Sequence, residues 1–108
     1  MTTTLLDLKT VACDGGGLSL ALAGELDFHT AGRVAPRLDE LAGSGHPRLV
    51  LDLSGVSFCD SAGIGLFLRV ARRCRAAGTR LLLRDASPLL VTSMRVLGVD
   101  RELRLVVG

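Results

Sequence analysis

The chain has 108 residues, 48% of them hydrophobic and 22% charged, which suits one domain with a core of its own and excludes a disordered segment. Its formal net charge of +2, carried by arginines with Lys9 the only lysine, is too small to argue for nucleic acid. With no Trp or Tyr and only three Phe, it also lacks the stacking platforms of single-strand binders, and its core must be aliphatic.

Thr4 to Ala12 contains an alternating stretch, with Leu6, Leu8 and Thr10 on one face, and reads as a half-exposed strand. Asp14-Gly15-Gly16-Gly17 is a turn, and Leu18 to Leu26 alternates again, so the two strands form a hairpin. Val34, Leu38 and Leu41 then recur at helical spacing, with Asp27 or Thr30 able to cap the helix. Pro36 inside it predicts a bent or late-starting helix. After the loop Gly43 to Pro47, the continuous apolar run Arg48 to Leu53 reads as a central strand covered on both faces.

A second helix is expected from about Ser61 to Ala77, with Ile64, Phe67, Leu68, Ala71 and Cys74 on its apolar side and Gly78 as a left-handed stop. Thr79 to Arg84 is a fourth strand. Ser87-Pro88 opens a third helix whose stripe is Leu90, Met94 and Leu97 and which Gly98 ends. Leu103 to Val107 supplies a last strand. The order is ββαβαβαβ, an α/β fold in which helices pack on a mixed sheet, and nothing divides residues 1–108 into more than one domain.

Three cysteines, Cys13, Cys59 and Cys74, form no CxxC pair, which argues against a disulfide framework or a metal site and for a reducing cytosol. Met1 to Thr10 lacks the apolar segment of a signal peptide, and no run approaches membrane-spanning length. The expectation is a soluble cytoplasmic domain.

The stretch with most chemical content is Ser57-Phe58-Cys59-Asp60-Ser61-Ala62-Gly63-Ile64-Gly65, at a passage from strand to helix. Ser61 lies where an N-cap is wanted and where the helix dipole welcomes an anion. Gly63 and Gly65 remove side chains that would hold off another backbone or a ligand.

Other chemistries fit poorly. A hydrolase would need the elbow G-x-S-x-G, but Cys59 stands two before Ser61, and His29 and His46 have no evident orienting partner. A dinucleotide fingerprint fails because Leu68 takes the place of the third glycine. The triple glycine lacks the lysine and helix of a phosphate loop. No enzyme, cofactor or metal is implied. Arg69, Arg72 and Arg73, with Arg75 near the boundary, read first as a solvated helix face, second as a partner surface and last as a DNA contact. Cys59 and Cys74 read as small core residues. Asp52 reads as a strand-end residue able to support the Ser61 turn, and Asp85 as a loop or cap residue.

Taken together, Gly24-Glu25-Leu26-Asp27 with Thr30-Ala31, Leu51-Asp52-Leu53-Ser54-Gly55-Val56, Asp60-Ser61-Ala62-Gly63-Ile64-Gly65, Ser87-Pro88 and Leu97-Gly98 resemble the anti-sigma factor antagonist family, the STAS domains. The resemblance covers nearly the whole chain in the right order. It implies a bacterial protein that binds an anti-sigma factor and so releases a sigma subunit. It further implies that Ser61 is phosphorylated by that anti-sigma factor, an ATP-dependent serine kinase, and that a separate phosphatase restores the hydroxyl. Asp27 matches an acidic position close to the phosphorylation site in similar proteins. The partner-binding residues implied are Asp27, Asp60, Ser61, Ala62, Gly63 and Gly65, in a monomer or weak dimer with no role for nucleic acid or membrane. The alternative within the family is a scaffold or small-ligand sensor in a stress-signalling assembly.

Overall fold

The computed structural model describes residues 7–12, 16–103 and 105–106. Strands β1 (Asp7–Ala12) and β2 (Leu18–Leu26) pair antiparallel, from Asp7 opposite Ala23 to Ala12 opposite Leu18, as the hairpin reading requires. Then follow α1 (Phe28–Ala42), β3 (Arg48–Cys59), α2 (Ser61–Ala77), β4 (Arg80–Arg84), α3 (Pro88–Val96), α4 (Asp100–Leu103) and β5 (Leu105–Val106). The sheet runs in the order β1-β2-β3-β4-β5, and every pairing after the hairpin is parallel. Among the described residues no helix is long and apolar enough to cross a membrane.

Alternate strand residues supply one side of the core. Leu20, Leu22 and Leu26 of β2, Leu49, Leu51 and Leu53 of β3, and Leu81 and Leu83 of β4 are buried together with the apolar stripes of the helices. The stripes are Val34, Leu38 and Leu41 in α1, Ile64, Phe67, Ala71 and Cys74 in α2, and Leu90, Val91 and Met94 in α3. Period-two strands and period-3.6 helices thus meet on one face of the sheet. β3 is central as expected, but its two faces are not equally covered. On the reverse side Val50 is buried, Asp52 is half-buried and Ser54 is exposed.

Several boundaries depart from the sequence reading. α1 starts at once after Asp27 and runs unbroken through Pro36. Proline removes a bond to the carbonyl four residues earlier, here that of Gly32, and both residues are exposed, so water can take the place of the missing donor. β3 extends past Leu53 to Cys59 through two register shifts against β2. A Cβ on Gly55 would lie 2.9 Å from the Ala23 Cβ and the Leu22 carbonyl oxygen, so the strands can meet at this irregularity only without a side chain. Leu103 closes a helical turn, Asp100–Leu103, and does not belong to the last strand, which is described at Leu105–Val106; Arg104 and Val107, also read as strand, lie outside the described residues. Leu97 does not belong to the α3 stripe, being largely exposed, while Val91 does. Asp85 is a loop residue with φ of 60°, and Ser87 caps α3 through a 3.2 Å bond from the Leu90 amide.

Candidate functional site

β2 and β3 end side by side, with Leu26 paired to Cys59, and each passes directly into a helix through one aspartate. Asp27 caps α1: its Oδ1 accepts from the amides of His29 at 2.9 Å and Thr30 at 3.0 Å. The Thr30 hydroxyl accepts from the Asp27 amide at 2.8 Å and donates to the Glu25 carbonyl at 2.7 Å, so a buried side chain ties the helix start to its strand. The Thr30 amide first, then the Thr30 hydroxyl and the His29 amide, hold the Asp27 carboxyl below the usual aspartate range against a counteracting desolvation.

Asp60 does the same for α2, and this corrects the assignment of Ser61 as the cap. Oδ1 of Asp60 accepts from the amides of Ala62 at 2.9 Å and Gly63 at 3.2 Å. Ser61 is therefore the first helical residue; it is exposed, and its hydroxyl has no hydrogen-bond partner among the described residues. A serine released from capping has its oxygen free for other chemistry.

The two glycines play different parts. Gly63 is buried, and a Cβ there would lie 2.6 Å from Cys59 Sγ and 2.9 Å from Leu26 Cγ. It seats α2 against the ends of both strands and offers no surface to a partner. Gly65 is exposed with nothing within 4 Å of its missing Cβ, so it does leave open ground. Asp52 does not support the Ser61 turn. It accepts from the Ser54 amide at 3.0 Å, which together with the Ser54 hydroxyl and Arg84 across the strand pair keeps its carboxyl low.

Cys59 lies half-buried beside this turn, its thiol pushed up to about 12 by burial and by the Asp60 charge. Cys74 is buried in α2, with its thiol raised to about 11 by burial. Both are protonated at neutral pH, as core residues should be. Cys13 lies outside the described residues.

Three grooves surround the start of α2. One of about 380 Å³ is lined by Cys59, Asp60, Ser61 and Ile64 on one side and by Thr92, Ser93, Val96 and Leu97 on the other. A second, of about 160 Å³, shares Cys59 and Ser93 with the first and includes Phe58 and Leu89. A third, of about 570 Å³, lies between α1 and α2 and includes Phe28, Gly32, Ala62 and Gly65. The large apolar side chains exposed among the described residues are Phe28, Phe58, Leu89, Val96 and Leu97. Every one of them lines one of these grooves. Single exposed apolar residues are ordinary, but several lining grooves in this way make a surface that a partner could cover. The sequence reading missed it, because Leu89 and Val96 occur in an apolar helix, Leu97 directly follows it, and none of the three could be told from core.

The arginines of α2 are braced more than the sequence suggested. Arg69 pairs with Asp39 of α1, and Arg72 and Arg75 approach Glu102 of α4 at 3.5 and 3.8 Å. Such exposed pairs contribute little each, and they lie on the flanks of α2 and not in the groove that holds Ser61.

Comparison with known proteins agrees with the fold described above. The family model described as Mlab, STAS domain matches residues 10–107. The chain belongs to the STAS domain family. It is 33% identical over 70 residues to an anti-sigma F factor antagonist of Lysinibacillus sphaericus, covering 64% of this chain and 60% of that relative. It is 32% identical over 74 residues to the anti-sigma F factor antagonist of Paenibacillus polymyxa, covering 68% of this chain and 63% of that one. The matches thus span somewhat under two thirds of the length of these curated relatives. The Bacillus cell fate determinant SpoIIAA, solved in its phosphorylated form, superposes with a TM-score of 0.73 at 21% identity over 94% of this chain and 91% of that one. At that identity the likeness speaks for the STAS fold alone.

Proposed function

We propose that this STAS domain is an anti-sigma factor antagonist of the bacterial cytoplasm, a binding protein and not an enzyme. It binds an anti-sigma factor that is itself an ATP-dependent serine kinase, and so frees a sigma factor. Phosphorylation of Ser61 by that kinase ends the binding, and a phosphatase restores it. One observation carries this reading: an exposed, unbonded serine hydroxyl at the positive end of α2 stands in a groove whose far wall carries the exposed side chains of Val96 and Leu97. The naming of both curated relatives as antagonists of anti-sigma F factor supports it, as does the existence of a phosphorylated form of a protein with this fold.

The electrostatics of the groove indicate how the switch acts. A phosphate adds about −1.5 to −2 charges at neutral pH. Two of the amides at the start of α2 are already engaged by the Asp60 carboxylate, and the groove lining contains no cation. The dipole can return only ~0.3–1 kcal/mol, and Asp60 opposes even that. The isolated domain therefore keeps its fold. At an interface, desolvating an unpaired dianion costs several kcal/mol, and roughly 4 kcal/mol is about a thousandfold in affinity. Phosphorylation blocks docking without refolding the domain.

The test is intact-mass analysis after incubation with ATP and a candidate anti-sigma kinase, with mapping of the modified residue, together with calorimetric binding of two variants. Ser61→Ala should bind and resist modification; Ser61→Asp should bind poorly. Equal affinities for the two variants would remove Ser61 from the interface. Widespread amide shift changes across the sheet on phosphorylation would refute the blocking mechanism.

A further inference from the structure

A cavity of about 650 Å³ lies at the other end of α2 and has no part in the reading above. It is framed by Ala71, Arg75 and Gly78 of the α2 terminus, Thr79, Arg80 and Leu81 entering β4, and Arg101 and Glu102 of α4. Along the helix axis Arg75 stands about 21 Å from Ser61. Three guanidinium groups from three elements thus border one cavity, against a single carboxylate.

That carboxylate is already shared. Oε1 of Glu102 faces Arg72 at 3.5 Å and Arg75 at 3.8 Å, both too long for strong pairs. The carbonyls at the end of α2 offset part of the charge on Arg75. Arg80 and Arg101 are exposed and have no ion pair among the described residues. The Thr79 hydroxyl is committed to the His46 carbonyl at 2.7 Å, which pins the base of the cavity without competing for a ligand. The result is a concave site with uncompensated positive charge and a size within the range of small-ligand pockets.

We propose that this cavity binds a small anion carrying two adjacent phosphate groups. Each guanidinium fork presents parallel N–H groups suited to a pair of phosphate oxygens. The three forks come from three different elements around a cavity of about 650 Å³, wider than a single phosphate fills, whereas a diphosphate can engage them from both ends. The groove around Ser61 offers the opposite chemistry, apolar walls and one acid, so the two ends of α2 address different ligands.

The test uses inorganic pyrophosphate as the probe, titrated calorimetrically into the full chain at low and constant ionic strength. Saturable binding with a dissociation constant below about 1 mM is expected, with orthophosphate weaker by about tenfold. Arg80→Gln and Arg101→Gln should each weaken pyrophosphate binding by about tenfold. Arg33→Gln removes the same charge from an exposed position on α1 and should leave it unchanged, with circular dichroism confirming that all three variants fold. No saturable heat up to several millimolar pyrophosphate would overturn the site. Equal weakening by all three variants would reduce it to surface charge, and equal affinity for orthophosphate would overturn the diphosphate assignment. None of these outcomes depends on whether Ser61 is phosphorylated.

Discussion

The backbone amide of Asp60 donates to the carbonyl of Leu26 at 3.2 Å. This bond carries the pairing of β2 and β3 one residue beyond the last matched pair, Leu26 with Cys59. It fixes the point at which the chain leaves β3, so the carboxylate of Asp60, and not the next side chain, meets the amides of Ala62 and Gly63. The freedom of the Ser61 hydroxyl is a consequence of strand register.

Stability should register this division of labour. Asp60→Ala removes an N-cap acceptor and should cost about 0.5–2 kcal/mol. Ser61→Ala touches an exposed, unbonded hydroxyl and should stay within about 0.5 kcal/mol of the parent. Urea denaturation of the two variants provides the comparison. A larger loss in Ser61→Ala would mean that the serine does the capping.

The paired glycines make a second contrast. Gly63→Ala places a methyl against Cys59 Sγ and Leu26, at 2.6 and 2.9 Å, where the ends of both strands are packed. It should destabilise the domain by about 1–3 kcal/mol. Gly65→Ala meets nothing within 4 Å and lies inside a helix, so it should stabilise by up to about 1 kcal/mol. Thermal melts that moved in the same direction for both would contradict the packing described for α2.

Much of this was legible in the sequence, and the exceptions have physical causes. The bounds of α2 could be read from its apolar period and from Gly78, whose φ of 72° is the left-handed stop that the residue type implies. Asp60 and Ser61 are both good caps by type, and only the tertiary bond to Leu26 decides between them. The outer half of β3 was missed because Ser54, Gly55 and Ser57 break its apolar run, although its backbone still pairs with β2. The turn Asp100–Leu103 is too short to carry a helical period, and Leu103 and Leu105 imitate the alternation of a strand. The apolar surface could not be foreseen, since spacing shows that a residue is apolar but not whether a neighbour covers it.

Asp27 gives the domain a pH signature. Its carboxyl is held below its ordinary value of 3.8 in the folded chain, chiefly by the Thr30 amide. A depressed folded value means stability that is present above the unfolded pKa and lost as pH falls through the folded one. Asp27→Asn keeps an acceptor at the cap but cannot titrate. The stability difference between the parent and this variant should be constant near neutrality and should shrink once pH falls below about 4. Denaturation curves from pH 7 to 3 measure it, and a difference that widened on acidification would reverse the sign assigned to this carboxylate.

The apolar grooves around Ser61 should matter to a partner and hardly at all to the fold. Val96 is 80% exposed, Leu89 78% and Phe28 75%, so replacing each with serine removes little that is buried in the free domain. If the anti-sigma factor covers the groove that Ser61 shares with Val96 and Leu97, Val96→Ser should weaken binding by about 1–3 kcal/mol, as buried apolar anchors do. Phe28→Ser reports on the groove between α1 and α2, and Leu89→Ser on the one beside Phe58. Calorimetry on the three variants therefore maps which grooves the partner occupies, with unchanged melting temperatures as the control for folding. Full affinity in all three would mean that docking bypasses the apolar surface, and the proposed interface around Ser61 would have to be abandoned.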